Sequence, residues 1–171
     1  MTKTMTCGAA LAFMLLGATP ASGAEAGAKK PEATSMNAAE VKFAPAPPDL
    51  PKGAEMAVLH GDPTKKVPYT LRLKLPAGYK IPPHWHTHDE ALTIVSGTFT
   101  LHMGDTMEAP GTVLTAGGFH FLPGKMHHAA EATDETIVQV DGMGPFDIHY
   151  LNPDDNPNPK TAATKAAATK K

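Results

Sequence analysis

GYKIPPHWHTHDEALTIVSG, residues 78–97, places His84, His86, His88 and Glu90 at alternate positions between a double proline and a run of strand formers. In an extended chain successive side chains point to opposite faces, so these four are expected to share one face. His84 and His86 would then sit roughly 6–7 Å apart along the strand, close enough to chelate one cation. Three imidazoles and a carboxylate crowded together repel when protonated and gain most from a metal ion. A helix carrying His84 and His88 at i, i+4, as in zinc peptidases, is disfavoured. Pro82-Pro83 stands upstream, the His-Glu-x-x-His order is missing, and Thr93-Ile94-Val95 follows.

The neighbouring sequence reads as an all-β fold, with short apolar runs separated by Gly, Pro and Asp turns. Residues 54–60 form a short strand ended by Gly61-Asp62-Pro63. Residues 69–75 alternate, with Tyr69, Leu71, Leu73 and Leu75 on one face and Thr70, Arg72 and Lys74 on the other. Strands are expected at 91–96, 99–103, 113–115, 119–122, 127–131 and 136–141, and a last one near 147–150. Evenly spaced short strands with no long amphipathic helix imply a closed or sandwiched antiparallel barrel.

A metal site begun on one strand needs closing from another. His127 and His128 follow the turn Pro123-Gly124-Lys125-Met126, behind a strand that starts after Gly117-Gly118. In a regular strand these two histidines point to opposite sides, and a one-residue slip would exchange them.

Two patterns here resemble the signature motifs of the cupin family. The first is Gly78-x5-His84-x-His86-x3-Glu90-x6-Gly97, which matches at every fixed position. The second is Gly117-x5-Pro123, with His128 on its histidine position; Lys125 replaces a glycine and Ala132 replaces an asparagine. The resemblance covers nearly the whole predicted domain. It implies an all-β, single-domain jelly-roll (RmlC-like) β-barrel with its ligands facing the interior. It also implies that His84, His86, Glu90 and His128 hold one divalent transition metal. Three imidazoles and a carboxylate suit Fe, Mn, Ni, Cu or Zn without selecting among them. His88 falls at a position the motif leaves open and is expected at the rim. His102 is expected to face outward, His120 to face outward or back a ligand, and His127 to face solvent. Trp85 should point away from the metal, and His149 and Tyr150 should lie near the barrel mouth.

The ends read differently. Lys3, an apolar run from Ala9 to Ala18 and the small residues Ala21-Ser22-Gly23-Ala24 have the layout of a secretory signal peptide over residues 1–24. Residues 25–52, rich in Ala, Pro, Lys and Glu, are expected to be a mobile or extended lead-in, with the ordered domain at 53–151 and a disordered, flexible tail at 152–171. Cys7 is the only cysteine and lies in the segment to be removed, so disulfides, thiolate metal sites and cysteine nucleophiles are excluded from the mature chain. Loss of Lys3 takes the formal charge from −2 to −3, which favours neither nucleic acid nor a membrane surface as a partner.

The expected location is therefore periplasmic or secreted. Expected partners are a small-molecule ligand or substrate and, through exposed sheet edges, a second copy in a homodimer. Two functions fit: a metal-dependent small-molecule enzyme of dioxygenase-like type, or a non-catalytic module that binds or senses a metal or ligand. An octahedral metal held by four protein ligands keeps places for substrate, whereas tetrahedral zinc would be filled.

Overall fold

Tyr69, Leu71, Leu73 and Leu75 are buried and the residues between them are half-exposed, the period-two signature of a strand with one face on a core. The computed structural model describes residues 33–158. Among them the chain forms β1 (Ala44–Pro45), β2 (Glu55–Gly61), β3 (Pro68–Leu75), β4 (Lys80–Trp85), β5 (Glu90–Ser96) and β6 (Thr98–Met103). It continues with β7 (Gly111–Thr115), β8 (Phe119–Leu122), β9 (His128–Ala132), β10 (Thr136–Met143) and β11 (His149–Tyr150).

Two sheets result, ordered β1-β2-β3-β10-β5-β8 and β11-β4-β9-β6-β7, with every pairing antiparallel. β10 inserts between β3 and β5, and β9 between β4 and β6, so late strands return into the early ones in a jelly roll. The inner faces meet in a core in which Leu71, Leu75, Ile94, Leu101, Leu122, Val138 and Val140 are each at most 1% exposed.

The histidine stretch is not one strand. β4 ends at Trp85 in one sheet and β5 starts at Glu90 in the other, so residues 86–89 form the corner between sheets. Pro82 and Pro83 have no N–H to give the ladder, and the β4–β9 register shifts between Ile81 and His84. At the corner, side chains replace ladder partners. The Thr87 N–H donates to Asp147 Oδ1 (2.9 Å) and the Gly124 N–H donates to Asp89 Oδ1 (2.7 Å). His88 is half-buried on this corner rather than on a strand face.

The packed region also starts earlier than the expected boundary at residue 53. β1 pairs with β2, and Leu50, 4% exposed, belongs to the core. A single large aliphatic side chain there finds enough apolar contact to order a Pro-rich segment that composition alone marks as mobile or extended. After β11, Pro153–Asp155 form a 3₁₀ turn capped by the Asn152 side chain, so the tail is ordered at its start. The signal-peptide segment, residues 25–32 of the lead-in and residues 159–171 of the tail lie outside the described residues. Among those described, no helix is long and apolar enough to cross a membrane.

Candidate metal centre

His84 and His128 are directly opposed across β4 and β9, and their ring centroids lie 4.1 Å apart. His86, on the corner, brings its ring to 4.9 Å from His84 and 5.2 Å from His128. The donor atoms of the three lie within 4.8 Å of one another, and all three side chains are buried. His127 points the other way: its side chain is 41% exposed and its Nδ1 lies 2.7 Å from Asp105 Oδ1. β9 has therefore not slipped by a residue.

Each imidazole in the cluster has its Nδ1 against a backbone carbonyl. The Nδ1–H of His84 donates to Pro82 O (2.7 Å), that of His128 to Met126 O (3.1 Å), and that of His86 to Asp147 O. A carbonyl can only accept, so Nδ1 carries the proton in all three rings. In the neutral rings Nε2 is left with its lone pair. Fixing the tautomer through the distal nitrogen is how proteins orient imidazole ligands.

The electrostatics agree. Burial pushes the His84 imidazole well below its ordinary pKa, and the neighbouring His128 and His86 push it further, against a smaller upward pull from the Pro82 carbonyl. His128 is pushed down to about 4, by burial first and then by His86. Both rings are therefore neutral near pH 7, in the state that binds a cation. Glu90, the first residue of β5, is buried with Oε2 3.6 Å from His86 Nε2. Burial raises its carboxyl pKa and His86 pulls it back in part. The structure thus groups His84, His86 and His128, with Glu90 beside His86. Buried imidazole nitrogens with a carboxylate alongside fit a divalent transition metal.

The centre faces a cavity of about 30 Å³. Its lining is aliphatic and aromatic apart from the three histidines and Glu90, and it contains no Lys or Arg. Two segments between ladders help close it. Phe146, on the loop before β11, stacks on His86 at 5.6 Å and meets Tyr69 edge-on at 6.0 Å. Leu50 contributes from the N-terminal segment.

Neither Phe146 nor Asp147 could be picked out from sequence. The Asp147 carbonyl holds His86, and its carboxylate accepts from the Thr87 N–H and hydroxyl and lies 2.9 Å from His149 Nε2. His149 in turn stacks on Trp85 at 4.0 Å, so both sit outside the cluster. The Tyr150 ring lies 6.0 Å from His84.

Two other histidines depart from expectation or resolve it. His102 does point away from the core yet is only 8% exposed, because the turn before β7 folds over it and Ala109 O accepts from its Nδ1–H at 2.7 Å. Gly111 makes this possible: a Cβ there would lie 2.4 Å from Thr100 Cγ2 and 2.9 Å from His102 Cε1. His120 is half-buried while Phe119 and Phe121 on either side are 61% and 52% exposed, so on β8 the histidine faces in and the aromatics face out. The second motif keeps its turn despite its substitutions. Lys125 adopts φ 66°, the left-handed conformation that glycine would take more easily, and its N–H donates to His86 O at 2.8 Å.

The family model for the cupin domain matches residues 71–143. No curated protein matches the chain. Among solved structures, the polyketide cyclase RemF from Streptomyces resistomycificus is 14% identical with a TM-score of 0.62, covering 74% of this chain and 90% of that one. KdgF from Halomonas sp. is 18% identical, with a TM-score of 0.51 and coverage of 67% and 94%. An RmlC-like cupin from Shewanella frigidimarina is 16% identical, with a TM-score of 0.51 and coverage of 66% and 91%. At these identities the likenesses establish fold. With the two-sheet jelly roll and the family match over its central strands, they place the chain in the cupin superfamily.

Proposed function

We propose that this chain is an exported cupin, periplasmic or secreted, that binds one divalent transition metal through His84, His86, His128 and Glu90 and acts on a small uncharged molecule in a dioxygenase-like reaction. The observation that carries the metal reading is the set of three Nδ1–H···O=C bonds, which turn three Nε2 atoms into one buried space. Bound there, Fe, Mn, Ni or Cu would supply Lewis acidity and electron exchange.

The chain's own residues do the rest. Glu90 holds a proton more readily than an exposed glutamate, and a cation beside it would displace that proton. The apolar walls exclude water, and with no Lys or Arg among them the metal would be the only cationic partner for an anionic group. That disfavours substrates carrying a charge away from the metal and favours otherwise neutral ones. The cavity's volume corresponds to only two or so water positions, at roughly 10–15 Å³ each. The substrate is therefore small.

The test is the metal inventory of protein recovered from its own compartment, followed by oxygen uptake against thiols, diketones and phenols graded by size. Uptake with the smallest neutral compounds, abolished in His86→Ala, is expected. Filled tetrahedral zinc and no uptake with any metal would instead leave a non-catalytic binding module.

A further inference from the structure

Leu50 lines the cavity together with His84, yet it belongs to neither sheet. It is carried on a strap, residues 46–54, that lies N-terminal to the region matched by the family model. The strap is closed at its base by the Ala46 N–H donating to Ala54 O at 3.0 Å, and is turned by the Leu50 N–H donating to Pro47 O at 3.0 Å. Two tyrosine hydroxyls from the barrel pin it on either side of the leucine. Tyr150 Oη–H donates to Asp49 O at 2.8 Å, and Tyr79 Oη–H donates to Pro51 O. Asn158 Nδ2 adds a bond to Asp49 Oδ1 at 3.0 Å. Pro47, Pro48 and Pro51 restrict the backbone around it. The arrangement holds one aliphatic side chain, 4% exposed, against the space beside the metal cluster.

We propose that Leu50 is a specificity-determining residue: carried on its strap, it sets the size limit for molecules that reach the metal centre. The proposal rests on the metal reading above and extends it. One part of the cavity wall is a side chain on a separately anchored segment, so its size changes without touching a strand or a ligand. Removing three carbons from a site that now holds two or so waters should admit a ring where none fits. Discrimination of about 10-fold or more is what a missing methylene-scale wall produces in an apolar pocket.

The experiment uses the full chain and Leu50→Ala, both loaded with Co(II), and reads the visible spectrum on adding azide, which is small and charge-matched to the metal, or 4-nitrocatechol, which is bulky. Azide should perturb both proteins alike. 4-Nitrocatechol should bind Leu50→Ala at least ~10-fold more tightly than wild type. Equal affinity for 4-nitrocatechol in the two proteins overturns the proposal.

If neither protein takes up cobalt, the metal reading fails. The metal-free proteins then decide the role of Leu50 through benzene. Benzene should raise the melting temperature of Leu50→Ala and leave wild type unmoved, and an equal response in both overturns the proposal. Should Leu50→Ala not fold, Tyr79→Phe removes one anchor of the strap and leaves every cavity side chain in place. It should shift 4-nitrocatechol or benzene binding in the same direction, and no shift refutes the strap's part.

Discussion

Acidifying the metal-free protein should weaken it through His128 in particular. The folded state holds this imidazole neutral, with its pKa pushed down to about 4, whereas the unfolded chain protonates it near 6.5. The sign follows directly. Between those values the unfolded state binds more protons, so stability rises with pH. The contribution is fully present above pH 6.5, declines as pH falls, and is gone below about 4. A difference of about 2.5 pH units at 1.36 kcal/mol each gives roughly 3 kcal/mol. Glu90 works in the opposite sense, because its raised pKa lets the folded state take up a proton before the unfolded chain does as pH falls. Comparing wild type with His128→Gln at pH 7.5 and pH 4 cancels that term. In urea with chelator present, the wild-type midpoint should fall by about 1–3 M more than the variant's, for a denaturant slope of 1–3 kcal/mol per molar. An identical pH dependence in the two proteins would refute the argument, since it would mean that His128 is as free to protonate folded as unfolded.

Other outcomes test neighbouring parts of the structure. His84→Ala, His86→Ala and His128→Ala should each leave dialysed protein with roughly a tenth or less of the wild-type metal, whereas His102→Ala should keep its metal and instead lose about 1–3 kcal/mol, because Ala109 O loses a buried partner; equal metal content in all four would remove the cluster as the site. Lys125→Gly should raise stability by roughly 0.5–1 kcal/mol by relieving a left-handed backbone, and a lower urea midpoint would count against that conformation. Gly97→Ala should be far more damaging than Gly78→Ala. Both have positive φ, but a Cβ at 97 would lie 2.5 Å from Glu135 O, while at 78 it meets nothing within 4 Å. Thermal melts showing equal losses would contradict this crowding.

What could be read from the sequence was whatever a short stretch controls. The alternation of Tyr69 to Leu75 fixes a strand face wherever that strand goes, and β8 was expected at its observed limits, Phe119–Leu122. His84, His86 and His128 were legible as a set because the motifs carry the residue types. Why they meet was not. Alternation along one strand suggested a single face, but the stretch turns a corner, and which sheet each half joins depends on pairings such as His84 with His128 and Glu90 with Leu122. Leu50 was hidden by its surroundings, since a Pro-rich composition outweighs one aliphatic residue when contacts are unknown. The carbonyls that set the three tautomers had no signature at all, because every residue has one. Lys125 shows the same limit in reverse: its identity argues against the φ that the turn imposes.

The corner at residues 86–89 bears on how the proposed centre would acquire an ion. Two of the clustered histidines stand on one sheet and Glu90 on the other, and His128 enters only when β9 has come back beside β4. Before that, the segment around His84 and His86 would offer a metal only two imidazoles, and the third would arrive as the sheets close. Since the donors do not themselves discriminate strongly, the ions present at that moment compete in the order Mn < Fe < Co < Ni < Cu > Zn. A centre meant for iron or manganese must then close where copper and zinc are scarce. The place where the barrel folds would thus become part of its metal selectivity.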